Sequence, residues 1–113
     1  MAKNNQTKKT LFQFMNTVIA QLLKNGQYRT MQHYKTTLNT YMRFRENRDI
    51  AFSEINAEEI QAFEAYLKNV LRVCNNTSSF YMRILRSSYN KAVEKGLILQ
   101  RNLPILSEFV AYL

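Results

Sequence analysis

The chain has 113 residues, enough for one small domain with one core, and a formal charge of +8 from 16 Lys+Arg against 8 Asp+Glu, which points to a polyanionic partner. Two glycines and one proline leave few breakers and turns, so an all-helical fold is expected, while a hydrophobic content of 46% excludes a disordered chain. No apolar run approaches the roughly 18 residues of a membrane span, and the polar stretch from Met1 to Thr10 carries no secretion signal, so a cytoplasmic location and no membrane partner are expected.

Residues 1–9 are polar and basic and read as a flexible arm. Thr10 with Gln13 three residues on has the form of a capping box. A first helix follows to about Lys24, with Leu11, Met15, Val18, Ile19, Leu22 and Leu23 on one face. Asn25-Gly26 stops it, Gly26 supplying a left-handed conformation. A second helix is expected from near Thr30 to about Asn47, its buried stripe formed by Met31, Tyr34, Leu38, Tyr41 and Met42. The connector Arg48–Ser53 leads on, with Phe52 and Ile55 pinned into the core. Asn56 and Glu59 make a second cap pair and open a third helix through Ile60, Phe63, Leu67, Val70 and Leu71.

Asn75 or Asn76 is expected to cap a fourth helix, which Gly96 ends. Ser78, Tyr81, Leu85, Tyr89, Ala92 and Val93 recur on it at helical spacing. Ser79, Arg83, Arg86 and Asn90 fall largely away from that stripe. Beyond Pro104, the residues Leu106, Phe109, Val110 and Leu113 fit a short C-terminal helix. Four long helices joined by short connections bury one another most simply as an orthogonal or bundled domain.

Signals of enzymatic chemistry are absent. His33 is the single histidine and is placed on the exposed side of the second helix, so no histidine pair can ligate a metal. Cys74 stands alone, without a disulfide or a metal pair. Glu58 and Glu59 are adjacent and point to different sides of their helix, where they complement its positive N-terminus. Of the seven tyrosines, Tyr34, Tyr41, Tyr81 and Tyr89 fall on buried stripes. Neither a cofactor, a metal nor a catalytic residue is expected.

The positive signal is the placement of charge. From Arg29 to Arg48 there are five basic residues and one acid, Glu46, whereas Glu54, Glu58, Glu59 and Glu64 gather further on. Arg29, Lys35 and Arg43 lie on or beside the polar face of the second helix; Arg83, Arg86 and Lys91 do the same on the fourth. Thr30, Gln32, Thr36, Asn39, Thr77, Ser79 and Asn90 sit among them. Charged heads attract phosphates, and short polar groups can bond phosphates or base edges at close range. Phe80, beside the stripe of the fourth helix, could complete the core or lie against a sugar–phosphate backbone.

Several motifs resemble those of a known family. Thr10-Leu11-Phe12-Gln13-Phe14 resembles its opening helix, and Thr30 with Tyr34 its Thr-x-x-x-Tyr second-helix start. Ile55, Ile60 and Phe63 are similar to its I-x-x-x-x-I-x-x-F third helix. The most specific match is Asn76-Thr77-Ser78-Ser79-Phe80-Tyr81-Met82-Arg83-Ile84-Leu85-Arg86 with Tyr89-Asn90-Lys91-Ala92-Val93. Together these resemble the N-terminal core-binding (SAM-like) domain of tyrosine recombinases, of the phage-integrase type common in Bacteroidetes, over about residues 10–103.

The resemblance implies an all-α, four-helix SAM-like domain over 10–103, with 104–113 as a tail or linker. It also implies a module that clamps double-stranded DNA opposite a C-terminal catalytic domain, its second and fourth helices meeting the major groove. The DNA-contacting set it selects with the charge pattern is Arg29, Thr30, Gln32, His33, Lys35, Thr36, Arg43, Thr77, Ser79, Phe80, Arg83, Arg86 and Asn90. Such a module grips a recombination site for integration, excision or inversion, and self-associates with neighbouring copies on DNA. Catalysis belongs to the other domain, and neither His33 nor the tyrosines here match a catalytic motif. The sequence departs from the family's pattern at Leu71–Asn75, where a Gly and often a Pro are usual, and at Asn102-Leu103-Pro104-Ile105, where Asn-Pro-Phe is usual. The alternatives are a stand-alone helical DNA-binding remnant and a protein-interaction module without recombinase activity.

Overall fold

A computed structural model describes residues 10–97 of the chain. The arm expected at 1–9, and the short helix expected beyond Pro104, lie outside the described residues. The chain divides into two compact units with the boundary between Phe52 and Ser53. Four α-helices account for most of the described residues, and the single β feature among them is an isolated bridge between Thr10 and Ala51. The all-α fold expected from the scarcity of glycine and proline is the fold observed.

In the first unit, helix α1 (Leu11–Lys24) starts on the expected capping box. The Gln13 amide N–H donates to Thr10 Oγ1 and the Thr10 N–H donates to Gln13 Oε1, each at 3.3 Å. Two of the otherwise orphaned groups at the helix start are thereby satisfied. Leu11, Phe12, Phe14 and Met15 are buried, while Val18, Ile19 and Leu22 are half-buried and Leu23 is 49% exposed. The expected apolar face is therefore buried along its first half alone. Phe12 and Phe14, which flank the expected stripe, take the core positions near the start. At the other end Gly26 turns the chain with φ +77°, a value that strains any residue with a Cβ.

Helix α2 (Tyr28–Phe44) packs against α1 and buries Met31, Tyr34, Thr37, Leu38, Thr40 and Tyr41. Met42, expected in the stripe, is half-buried. The Phe12 ring meets Tyr41 edge-on at 6.3 Å, and Phe14 meets Phe52 likewise at 5.8 Å. Such pairs add to the burial of the rings themselves. The helix starts two residues before Thr30 and stops three before Asn47. It stops because Glu46 and Asn47 take left-handed conformations, φ 55° and 63°. The Arg45 and Arg48 side chains hold that turn by donating to each other's carbonyl oxygens, at 2.7 and 3.2 Å.

A 3₁₀ turn (Phe52–Glu54) spans the boundary, with Phe52 and Ile55 buried as expected. Helix α3 (Ala57–Ala65) is capped by Asn56, whose Oδ1 accepts from the Glu59 N–H at 2.8 Å. Ile60 and Phe63 are buried. The helix then widens into a π-helical turn (Tyr66–Val70), closed by the Leu71 N–H donating to the Tyr66 carbonyl five residues back. Leu67 stays fully buried, but the wider turn rotates Val70 out of the stripe. Val70 is 65% exposed, contrary to the expected pattern, and Leu71 is half-buried.

Helix α4 (Asn75–Glu94) begins on the residues expected to cap it. Its N-cap is Cys74, and Asn75 and Asn76 form its first turn instead of capping it. The buried stripe is Ser78, Met82, Leu85, Ser88, Tyr89 and Ala92, with Tyr81 and Val93 half-buried beside it. The stripe is thus centred nearer to Met82 than to Tyr81. Gly96, with φ +73°, follows the helix end as expected.

Candidate nucleic-acid interface

The outer face of α2 is set by helical arithmetic. At about 100° per residue, Gln32, Thr36, Asn39 and Arg43 form one row along the helix, opposite the buried Tyr34, Leu38 and Tyr41. All four are exposed. Arg29 and Lys35, also exposed, lie about 60° to either side of that row. Tyr28, 62% exposed, joins the face because the helix begins two residues earlier than its sequence suggests. No acidic residue occurs anywhere in α2, and Arg29, Lys35 and Arg43 form no ion pair with another described residue.

Two predicted residues stand apart from this row. Thr30 is exposed, yet it lies on the sector that Tyr34, Thr37 and Tyr41 continue into the core. It is open because it sits in the first turn. His33 is half-buried on the flank, and its carbonyl accepts from Thr37 Oγ1 at 2.9 Å, which satisfies a buried hydroxyl.

On α4 the predicted set is more shielded. Ser79, Arg83, Arg86 and Asn90 share one side of the helix, away from Met82, Leu85 and Tyr89. Arg83 is exposed; Ser79, Arg86 and Asn90 are half-buried. Neither arginine forms an ion pair with another described residue, while Glu64 pairs with Lys68 of the π-helical turn at 3.2 Å. The acids of α3 are therefore not the partners of Arg83 and Arg86. Phe80 is half-buried, and its ring lies 5.7 Å from that of Tyr81.

Thr77 is also half-buried, and its hydroxyl lies 3.3 Å from the Cys74 thiol. That contact, with the Thr77 backbone, holds the exposed thiol below its ordinary range. Burial instead pushes the Tyr89 phenol up to about 12. Among the described residues no group of three His, Cys, Asp or Glu side chains could hold a metal ion. No helix among them is long and apolar enough to cross a membrane.

The sequence singled out the cations and amides of α2 but not their alignment. Asn39 and Tyr28 belong to the outer face as fully as Gln32 does. A helix start at Tyr28, with the seven-residue interval between Gln32 and Asn39, is the signal that would have aligned them.

No curated protein and no solved structure gives a match to this sequence. A family model described as the phage integrase SAM-like domain matches residues 10–112. In integrases that domain is the non-catalytic, N-terminal part. The match takes in α1 to α4 and everything between them, and on that extent the chain belongs to the family of phage integrase SAM-like domains.

Proposed function

We propose that the chain is the DNA-gripping module of a site-specific tyrosine recombinase of the Bacteroidetes integrase type, acting on DNA in the cytoplasm. It holds double-stranded DNA at a recombination site, while strand cleavage and joining are the work of a catalytic domain. The observation that carries this reading is the outer face of α2: exposed, acid-free, and bearing three cations that no other described residue neutralises. Unpaired cations aligned along one helix favour a phosphate backbone, because each contact releases condensed counterions.

The roles divide by position. Arg29, Lys35 and Arg43 on α2, with Arg83 and Arg86 on α4, contact phosphates. Gln32, Thr36, Ser79 and Asn90 offer short-range hydrogen bonds to DNA. His33 and Phe80 lie at the margins of these faces, whereas Thr30 and Thr77, on the far side of their helices, reach DNA from the helix starts. Neighbouring copies and the catalytic domain are the protein partners.

Titration of the chain into a labelled random-sequence duplex, followed by anisotropy across a salt series, tests this. Log affinity should fall linearly with log salt, with a slope of about 0.9 per phosphate contact. An affinity that is flat with salt, or no binding at low salt, would overturn the reading.

A further inference from the structure

The outer face of α2 carries more than positive charge. Its central row holds two uncharged amides, Gln32 and Asn39, with Thr36 between them, and all three are exposed. Neither amide is hydrogen-bonded to another residue of the described chain. Seven residues bring the helix back to within about 20° of the same direction, so the two amides point the same way about 10 Å apart along the axis. Arg29 and Lys35 lie on opposite flanks of that row.

An amide adds little to the attraction of phosphates. Its value is that it presents a donor and an acceptor side by side. Adenine offers the complementary pair in the major groove, N7 as acceptor and the N6 amino group as donor, and Asn or Gln can engage both. The Thr36 methyl suits the C5-methyl of a thymine. An α-helix of about 10–12 Å diameter fits a major groove about 12 Å wide. With the amide row facing the groove floor, the two flanking cations face its two phosphate walls. The corresponding row on α4 keeps one exposed member, Arg83, while Ser79, Arg86 and Asn90 are half-buried, so no exposed amide lies on it.

We propose that α2 is the base-reading helix of this chain, and that Gln32 and Asn39 select adenine at two positions within about three base pairs of each other. Arg29 and Lys35 then hold the phosphates on either side and set the depth of the helix in the groove. The assignment rests on the DNA-binding reading above and adds to it a source of sequence selectivity.

The test is selection of a randomised duplex library by the full chain, then affinity measurements on the enriched duplex and on a scrambled duplex of the same composition. The wild-type chain should enrich A·T pairs at two positions within about three base pairs. Gln32→Ala and Asn39→Ala should each bind the enriched duplex about 5- to 150-fold more weakly, with a smaller loss on the scrambled duplex, so that the preference of each variant for the enriched duplex falls. Re-selection with each variant should relax one of the two positions and keep the other. Both substitutions are at exposed sites, and unchanged helical circular dichroism confirms the fold. If the wild-type chain binds every duplex alike, or both variants keep its full preference, the base-reading assignment is overturned while DNA binding stands. If no duplex is bound, both fall.

Discussion

The Thr10 hydroxyl donates to Oδ2 of Asp49 at 2.6 Å, across 39 residues of chain. Oδ1 of the same carboxylate accepts from the Phe12 N–H at 3.2 Å and from the Ile50 N–H at 2.8 Å. Asp49 thus places a negative charge at the positive end of α1 and satisfies one of its free amides. It also fastens the segment after α2 to the start of α1, where the Leu11 N–H donates to the Ile50 carbonyl at 2.9 Å. Asp49→Ala should lower stability by about 1–2 kcal/mol, and Asp49→Asn by less, since an amide oxygen can still accept. Urea unfolding midpoints check this; equal midpoints for wild type and Asp49→Ala would contradict the role.

Ser78 points to the opposite kind of change. It is 1% exposed, and its Oγ has no hydrogen-bond partner among the described residues. Two other buried hydroxyls are satisfied by the carbonyl four residues back: Thr37 Oγ1 donates to the His33 carbonyl and Ser88 Oγ to the Ile84 carbonyl. An unpaired buried hydroxyl is costly, and alanine is the better helix former. Ser78→Ala should therefore stabilise the chain by about 1 kcal/mol, whereas Ser88→Ala should not. A lower midpoint for Ser78→Ala would show that its hydroxyl is engaged.

Tyr89 makes stability depend on pH in the alkaline range. Its phenol holds its proton up to about 12 in the folded chain, against an ordinary value of 10, because burial disfavours the phenolate. The unfolded chain ionises first. The contribution is complete below pH 10 and is lost as the pH rises toward 12. Between about pH 8 and about pH 11, wild type should lose on the order of 1 kcal/mol more stability than Tyr89→Phe. Parallel losses in the two chains would contradict this.

Local chemistry made the helix starts and stops of this chain legible. The Thr10–Gln13 box, the Asn56 cap and the turn at Gly26 each depend on residues within four positions of one another. Long-range and phase effects were not legible. Nothing near Asp49 in sequence announces that it serves a helix 37 residues away. The pair Asn75-Asn76 suggests a cap, yet the chain enters α4 through Cys74 and both asparagines become helical. On α4 the apolar set Tyr81, Met82, Ile84 and Leu85 permits two overlapping stripes, and packing selects the one through Met82. The π-helical turn that exposes Val70 leaves no mark in composition. Of the candidate interface, the cations were visible because no acid interrupts α2, while the inclusion of Tyr28 depends on where the helix begins.

Arg83 and Arg86 distinguish phosphate contact from base contact on α4. If each meets a phosphate, its replacement by alanine should lower the slope of log affinity against log salt by about one unit, equally on all duplexes. A base contact would instead cost about 1–3 kcal/mol at one base position and relax selectivity there. The shielding of Arg86 favours the phosphate outcome. Folded variants that match wild type on every duplex would remove α4 from the interface.

The proposed function depends above all on the grip of the outer face of α2 on DNA. It is tested most directly by the salt slope of duplex binding for wild type and for a chain with Arg29, Lys35 and Arg43 all replaced by alanine, with circular dichroism confirming the fold of each. The slope should be lower by about two to three units in the triple variant, with weaker binding at low salt. A folded triple variant with the wild-type slope and affinity would contradict it.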